Sequence, residues 1–320
     1  MTKIKAGIAG AAGYTGGELI RLLLLHPKAE IAFAQSKSQA GKFVYEVHSD
    51  LLGDTDLKFS EKISADMDVL FLCMGHGESK KFLIENNIPE STCIIDLSQD
   101  FRLDKTYIYG LPELNRDKIR GHKRIANPGC FATCIQLGLL PLANKHLLQN
   151  EVHINATTGS TGAGQGLAAT SHFSWRSNNL SIYKAFDHQH LAEIGQSLEQ
   201  LQPDLNTELN FIPARGSFTR GIFASMYTDI KLSLDEAKAI YSEYYKGHPF
   251  VHISHTLTDL KQVVNTNKCI LYLEKHGDKL LITSIIDNLL KGASGQAVQN
   301  MNLAFGLDET MGLKLKASAF

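Results

Sequence analysis

The chain has 320 residues, 43% of them hydrophobic and 20% charged, and its 32 basic and 33 acidic side chains nearly cancel. A chain of this length can bury a large core in two domains, and its balanced charge excludes the strongly basic surface of a nucleic-acid or anionic-membrane binder. Five scattered cysteines form no Cys-x-x-Cys pair, which indicates neither a disulfide framework nor a zinc knuckle and favours a reducing cytoplasm. No apolar run approaches the roughly 20 residues of a membrane span, and no signal peptide is expected before the first strand.

The first 130 residues alternate predicted strands and helices. A buried strand over residues 3–9 leads into a glycine-rich loop, a helix over residues 18–25 and a strand over residues 30–34. Two uninterrupted apolar runs, residues 68–74 and 93–97, are typical of central parallel strands. The alternation predicts an α/β fold, a Rossmann-type doubly wound sheet that binds its ligand at the carboxyl ends of the strands.

Residues 131–289 have longer predicted strands and fewer helices. The strands cover residues 152–158, 209–213, 223–232, 269–273 and 280–287. This pattern predicts an α+β substrate and oligomerisation domain with a large, mostly antiparallel sheet. A helix over residues 288–303 is expected to pack back on the first domain, which is therefore predicted as residues 1–130 completed by about 290–320.

The loop between the first strand and the first helix carries glycines at positions 7, 10, 13, 16 and 17. Glycines there permit a tight turn and let backbone N–H groups approach a pyrophosphate at the helix N-terminus. The spacing is GxxGxxG rather than GxGxxG, so the alternative is a turn with no ligand. In this strand–loop–helix context we predict a dinucleotide site formed by Gly10, Ala12, Gly13, Tyr14, Thr15 and Gly16.

The end of the second predicted strand indicates which dinucleotide binds. NAD enzymes usually place an acidic residue there for the ribose 2′-hydroxyl, whereas this chain has no carboxylate until Glu46. Ser36, Lys37 and Ser38 are suited to a 2′-phosphate instead. The sequence therefore predicts NADP(H) as cofactor.

The tetrapeptide Asn127-Pro128-Gly129-Cys130 runs directly into an apolar segment with helical spacing. Proline and glycine break what precedes them, so Cys130 is expected in the first turn of that helix. The free N–H groups and positive dipole end of a helix favour a thiolate, which makes Cys130 the predicted nucleophile. The alternative, a buried and inert cysteine, is the interpretation for Cys73, Cys93, Cys134 and Cys269.

A thiolate nucleophile needs a proton-transfer group, and His188 and His190 are the strongest candidates. Their side chains are expected to point to opposite sides of an extended segment, so that one histidine faces the thiol and the other a substrate anion. Two alternatives stay open: a metal site completed by Glu193 or His172, which we disfavour, and two surface histidines without function.

Two further groups are candidates for ligand contacts. A second glycine-rich loop over residues 158–166, including Gly162, follows a predicted strand and could bring backbone amides to a thioester or nicotinamide; the alternative is a flexible hairpin. Arg215 and Arg220 are candidates to bind a carboxylate or phosphate, which arginine does bidentately.

Taken together, these motifs resemble those of the N-acyl-γ-glutamyl-phosphate reductase family, the NADPH-dependent semialdehyde dehydrogenases of arginine biosynthesis. The resemblance covers essentially the whole chain. It rests on residues 10–19, 95–102, 110–113, 127–130, 188–193, 220–221 and 287–296.

The resemblance implies a mechanism and a set of roles. Cys130 attacks the γ-acyl phosphate, NADPH reduces the thioester, and His188 protonates the hemithioacetal oxygen and takes the proton back. His190 and Arg220 become substrate-anion contacts, joined in the predicted substrate site by Arg102 and Asn127. Asn288 becomes a nicotinamide-side contact, Gly162 joins the cofactor site, no metal is needed, and a homodimer or homotetramer is expected.

Three positions depart from the family pattern. Phe131-Ala132 stands where Tyr-Pro is usual, Ala214 where a histidine is common, and Gln165 where an arginine is frequent. These departures leave open whether the substrate carries an N-acetyl or an N-succinyl group, or is the aminoadipyl phosphate, which is one carbon longer. The other hypotheses are an aspartyl-phosphate enzyme, a catalytically silent NADP-binding protein and a cysteine hydrolase.

Overall fold

The computed structural model describes residues 3–75 and 77–319. The chain divides into two compact units. The first consists of Met1–Gly129 and Ala293–Lys314, and the second of Cys130–Gly292 and Leu315–Phe320. The last residues, 315–320, thus group with the second unit, whereas the sequence assigned them to the first domain.

The first unit is built on a seven-stranded parallel sheet. Its strands are β1 (Ile4–Ala9), β2 (Ala29–Gln35), β3 (Phe59–Ser60), β4 (Val69–Leu72), β5 (Cys93–Asp96), β6 (Ile108–Tyr109) and β7 (Arg124–Ala126). They lie in the order β3-β2-β1-β4-β5-β7-β6, and each described neighbouring pair is parallel. The predicted doubly wound α/β fold is confirmed. The order reverses direction at β1, so a ligand site is expected at the carboxyl ends of β1 and β4.

Three helices of this unit precede the second unit in the chain: α1 (Tyr14–Leu24), α2 (Glu78–Glu85) and α3 (Pro112–Ile119). Helix α1 begins four residues before the predicted start at residue 18, because the second half of the glycine loop forms its first turn. Gly13 is the N-cap with extended backbone. A Cβ on Gly16 would lie 2.6 Å from the Cα of Ala11, so close packing explains a residue of low helix propensity inside α1.

The second unit contains a seven-stranded mixed sheet. Its strands are β8 (Val152–Thr158), β9 (Ser181–Ile182), β10 (Leu209–Arg215), β11 (Ile222–Asp229), β12 (Val251–Ile253), β13 (Cys269–His276) and β14 (Lys279–Ile286). Their order is β12-β13-β14-β11-β8-β10-β9. The β8–β10 and β12–β13 pairs are parallel and the other four are antiparallel, so the sheet is mostly antiparallel, as predicted.

The helices of the second unit are α4 (Cys130–Asn144), α5 (Phe173–Arg176), α6 (His190–Leu201) and α7 (Leu234–Tyr244). Helix α4 is the core of the unit, because every residue from 131 to 143 is buried. A helix that is apolar all round is stable only when covered on all sides, and α4 packs against the sheet, α6 and α7. This packing leaves its first residue, Cys130, at the edge of the core.

The helix predicted over residues 288–303 differs in its first part. A π-helical turn covers Leu290–Ser294 and is followed by α8 (Gly295–Ala304), which packs against α1 and α3 in the first unit. The Gly292 N–H donates to the Asp287 carbonyl five residues earlier, at 2.9 Å, which produces the wider turn. Within the described residues, no helix combines the length and apolarity that crossing a membrane requires.

Candidate active site

The glycine loop follows β1 at the carboxyl edge of the parallel sheet. Gly10 has φ +77°, and a Cβ there would lie 2.7 Å from the Cys73 carbonyl oxygen, so only glycine fits this turn. The N–H groups of the first turn of α1 have no acceptor within the helix and carry the positive end of its dipole. The loop thus brings together the residues predicted to bind a dinucleotide, namely Gly10, Ala12, Gly13, Tyr14, Thr15 and Gly16.

Two polar side chains that the sequence did not single out hold this loop. His48 is buried, and its Nε2 lies 2.9 Å from the Ala11 carbonyl oxygen, which places a proton on Nε2. Burial lowers the pKa of His48. Gln35 accepts from the Gly10 N–H at 3.4 Å and donates to the Glu61 carbonyl at 3.1 Å. Neither residue belongs to a motif, since each acts through a contact distant in sequence.

The predicted 2′-phosphate residues follow β2. Ser36 is buried with its Oγ 3.4 Å from that of Ser38, and Lys37 is exposed. Because β3 pairs with β2, the segment after β3 adjoins them, and Lys37 and Lys62 line the same cavity of about 480 Å³, together with Glu61 and Glu85. Lys62 therefore joins the candidate phosphate site, and only the β2–β3 pairing could have revealed it.

Cys130 is the first residue of α4 and is half-buried, as expected of a nucleophile at a helix N-terminus. A Cβ on Gly292 would lie 2.8 Å from that of Cys130, so glycine is required at position 292. By contrast, burial raises the pKa of Cys93 to about 12 and that of Cys134 well above its usual value. Cys269 is also buried.

Cys73 differs from its expected place inside an apolar strand. It lies directly after β4 and is half-buried at the surface, beside the glycine loop. Burial raises its pKa to about 12, with a hydrogen bond from Thr15 acting in the opposite direction. This thiol is therefore protonated at neutral pH.

The two histidines lie next to each other, with ring centroids 4.6 Å apart. The prediction that they point to opposite sides of an extended segment is wrong. Gln189, between them, has φ −56° and ψ −21°, which is helical backbone, and His190 begins α6. Residues i and i+2 of an extended segment share one side, so their spacing gave no reason for the two histidines to diverge.

Aromatic rings surround His188. The ring centroids of Phe131, Phe211 and Tyr183 lie 5.5, 5.4 and 5.8 Å from that of His188. Burial, together with the charge of Lys184, lowers the pKa of His188 to about 4, so this imidazole is neutral at pH 7. Its Nδ1 accepts the His190 N–H at 3.2 Å, which assigns the proton of the neutral ring to Nε2. His188 is thereby a hydrogen-bond donor.

His190 has a carboxylate beside it instead. Its Nε2 lies 3.8 Å from Oε1 of Glu193, one turn along α6, and both side chains are buried. A buried carboxylate beside a histidine stabilises its protonated form, which suits His190 to proton transfer. Across residues 3–75 and 77–319, no three histidine, cysteine or acidic side chains group as metal ligands.

Arg220 has a partner inside the second unit. Its Nε and Nη2 bond Oδ2 and Oδ1 of Asp287 at 3.0 and 3.2 Å. Asp287 is fully buried and also accepts three backbone N–H groups, from Asn265, Leu289 and Leu290. The predicted role of Arg220 as an anion contact thus competes with this bidentate ion pair.

Asn288 and Gly162 belong to the same region of the second unit. The Asn288 Oδ1 accepts the Gly221 N–H at 2.7 Å, and its Nδ2 donates to Oγ1 of Thr161 at 3.0 Å. Gly162 is exposed in a 3₁₀ turn, Ser160–Ala163. Asn288 therefore joins two loops, and the cofactor contacts of both residues stay predictions.

Arg102 and Asn127, the other predicted substrate contacts, brace the segment before Cys130. Arg102 is buried and donates through Nε to the Asn127 carbonyl at 3.1 Å. The Asn127 side chain donates to the Ala293 carbonyl and accepts from Asn300, each at 3.0 Å. In this conformation both side chains donate hydrogen bonds to backbone carbonyls, so their substrate contacts also stay predictions.

Comparison with protein families gives matches to both units. Residues 5–122 match the family described as semialdehyde dehydrogenase, NAD binding domain. Residues 130–288 match the one described as semialdehyde dehydrogenase, dimerisation domain.

Relatives of the same length are also found. Proteins of Christiangramia forsetii and Bacteroides fragilis are 59% and 62% identical over 320 and 322 aligned residues, spanning 99% of this chain and all of each relative. Both are named N-acetyl-gamma-glutamyl-phosphate reductase.

Among solved structures, the fold is similar to that of aspartate semialdehyde dehydrogenases. The Vibrio cholerae enzyme II complexed with ASA has a TM-score of 0.75 at 16% identity, with 95% of this chain and 98% of that one covered. The Candida albicans enzyme with NADP has a TM-score of 0.70 at 17% identity, with 94% and 98% covered.

Proposed function

Because the chain belongs to the N-acetyl-γ-glutamyl-phosphate reductase family of semialdehyde dehydrogenases, we propose that it reduces an N-acyl-γ-glutamyl phosphate with NADPH. The products are the N-acyl-glutamate semialdehyde and phosphate, as in arginine biosynthesis. The observation that carries the proposal is Cys130 at the start of α4, with the histidine pair packed on the next residue, Phe131.

The first step is acyl transfer to sulfur. The Cys130 thiol loses its proton to His190, and the thiolate attacks the γ-carbonyl carbon. The C–S bond forms, the C–O bond to phosphate breaks, and phosphate leaves with the electron pair. The first-turn amides of α4 favour the thiolate before the attack.

His188 and His190 divide the later chemistry. His188, neutral and protonated on Nε2, donates a hydrogen bond to the carbonyl oxygen as negative charge develops on it. His190, paired with Glu193, gives its proton to that oxygen and takes it back when the C–S bond breaks and the semialdehyde forms. This assignment moves to His190 the proton transfer that the resemblance gave to His188.

The glycine loop fits a dinucleotide, since a Cβ at Gly10 or Gly16 would fill space that backbone needs. Gly10, Ala12, Gly13, Tyr14, Thr15 and Gly16 would hold the pyrophosphate through backbone amides. Ser36, Lys37 and Ser38, with Lys62, would hold the 2′-phosphate and so favour NADP over NAD. When bound, NADPH supplies the hydride that reduces the thioester.

The acyl group is proposed to be acetyl, with succinyl and aminoadipyl substrates as alternatives. Phe131 and Ala214, two of the three departures from the family pattern, are buried, and Phe131 packs on both histidines. Phe131 therefore supports the histidine pair, whereas Gln165 is exposed.

A second copy of the chain is proposed to cover the open face of the second sheet. Helices α4 and α7 cover one face, whereas the other presents half-buried and exposed side chains, among them His153, Asn155, Ser225 and Tyr227. The match of residues 130–288 to a dimerisation domain supports a homodimer, or a tetramer of two such pairs, through this face.

The test is phosphate-dependent reduction of NADP with N-acetylglutamate semialdehyde or N-succinylglutamate semialdehyde, followed at the nicotinamide absorbance. Turnover that requires phosphate and is abolished in Cys130→Ser, with NADP binding nearly unchanged, is expected, and the faster semialdehyde identifies the acyl group. Phosphate release from an acyl phosphate without nucleotide would instead indicate a hydrolase. Bound NADP without turnover would indicate a silent protein or another semialdehyde substrate.

A further inference from the structure

Arg215 lies at the edge of the histidine site. It is the last residue of β10 and shares a strand face with Phe211, because side chains alternate along a strand. The Phe211 ring lies 5.4 Å from that of His188. The Arg215 guanidinium carbon lies 4.8 Å from the ring centroid of Tyr183, which is itself 5.8 Å from His188.

The charge of Arg215 is not neutralised within the described residues. None of them forms an ion pair with it, and its buried Nε has no hydrogen-bond partner among them. The neighbouring Arg176 is also buried, and it donates to carbonyl oxygens, including that of Arg215, and to the Ser181 hydroxyl. Lys184 adds a third positive charge near His188, while Asp187 is exposed and Glu193 lies against His190.

A cluster of this kind is suited to an anionic ligand. Two adjacent guanidinium groups without a carboxylate partner repel each other, and a buried N–H without an acceptor costs free energy that a ligand oxygen would recover. The Tyr183 ring holds the Arg215 guanidinium by a cation–π contact, with the guanidinium carbon 4.8 Å from the ring centroid, and the N–H edge of a guanidinium is the part that bonds a carboxylate bidentately. Arg220, the other arginine considered, is already bonded to Asp287 in that way.

We propose that Arg215, backed by Arg176 and oriented by Tyr183, binds a carboxylate of the substrate while the γ-carbonyl reacts at Cys130. The proposal rests on the function proposed above. The carboxylate is either the α-carboxylate of the glutamyl group or one at the end of a dicarboxylic acyl group, since both have the same chemistry.

The test is steady-state kinetics of phosphate-dependent NADP reduction for Arg215→Met and Arg215→Lys, with Lys246→Met as a control that removes an exposed charge of the same unit. We expect the KM for the semialdehyde to rise about 10- to 100-fold in Arg215→Met, as for a lost charged hydrogen bond. Arg215→Lys keeps the charge without the planar guanidinium, so its KM for the semialdehyde should lie between those of wild type and Arg215→Met. The KM for NADP and for phosphate should change less than about twofold.

The acyl group of the semialdehyde identifies the carboxylate. An equal rise in KM with the N-acetyl and N-succinyl substrates supports an α-carboxylate contact, and a rise confined to the N-succinyl substrate supports a contact with the acyl group. An unchanged KM for both, or a rise in the KM for phosphate instead, would overturn the proposal. Unchanged circular dichroism and unfolding midpoint would establish that Arg215→Met is folded.

A second measurement does not depend on turnover. N-acetylglutamate and N-succinylglutamate carry the same carboxylates and should protect Cys130 from alkylation by iodoacetamide. Arg215→Met should need about 10-fold more of the protecting compound, and equal protection of both proteins would refute the carboxylate site. If the wild-type protein is protected but turns over neither semialdehyde, the proposed reaction fails while the Arg215 site stands.

Discussion

Because the pKa of His188 is lowered in the folded protein, the unfolding free energy should depend on pH, and replacing this one residue should remove that part of the dependence. In the folded protein the pKa is lowered from 6.5 to about 4, first by burial among aromatic rings and then by Lys184. The folded state therefore binds fewer protons than the unfolded state between these two values. The stability that the neutral imidazole contributes is complete above pH 6.5 and is lost as the pH falls towards 4.

The change in pKa from 6.5 to about 4 corresponds to roughly 3.5 kcal/mol, at about 1.4 kcal/mol per pKa unit. His188→Asn removes this titration and leaves the other buried histidines, such as His26 and His48, in both proteins. As the pH falls from 7.5 to 4, the unfolding free energy of wild type should therefore decrease by up to about 3 kcal/mol relative to that of the variant. Near pH 5 the slope of this free-energy difference against pH should approach about 1.4 kcal/mol per pH unit.

The assay is urea unfolding at a series of pH values, followed by the fluorescence of Trp175. This is the only tryptophan of the chain and lies in α5 of the same unit as His188. The control is Thr228→Val, which changes a buried side chain of that unit that does not titrate. Its unfolding free energy should differ from that of wild type by the same amount at every pH. A difference between wild type and His188→Asn that stays constant within about 0.5 kcal/mol from pH 7.5 to pH 4.5 would refute the reasoning.

Four further outcomes follow from the contacts described above. His188→Phe should lower kcat about 10²- to 10³-fold, with part of the rate restored in His188→Asn because asparagine keeps an N–H donor; equal losses in both would assign the proton transfer to His188. His190→Asn should lower kcat about 10²- to 10⁴-fold and remove one limb of the pH–rate profile, and an intact profile would contradict its role. Lys37→Ala and Lys62→Ala should each raise the KM for NADPH roughly 10-fold and leave that for NADH nearly unchanged, whereas parallel changes for both nucleotides would exclude a 2′-phosphate contact. Asp287→Asn should lower the unfolding free energy by about 3–5 kcal/mol, because it leaves the guanidinium that it binds without a counter-charge, and a loss below about 1 kcal/mol would contradict a buried ion pair.

The sequence by itself was sufficient for features that depend on neighbouring residues. The glycines at 10, 13 and 16 predict a strand–turn–helix with exposed amides, because backbone freedom and steric space are local properties. The break at Pro128-Gly129 followed by an apolar helix predicts where Cys130 lies for the same reason. The alternation of apolar strands and helices likewise predicts the first sheet, since crossover connections require parallel strands.

The tertiary structure decided which side chains meet across long stretches of chain. The contact between the rings of His188 and His190 was not predicted, and it forms where the chain enters α6. Arg215 and Arg220 look alike in sequence, yet a carboxylate 67 residues after Arg220 binds it, whereas no described carboxylate binds Arg215. His48 and Lys62 reach their sites through packing and the β2–β3 pairing. Burial and charge pairing are sums over residues distant in sequence, so the protonation states and the partners of these side chains required the folded chain.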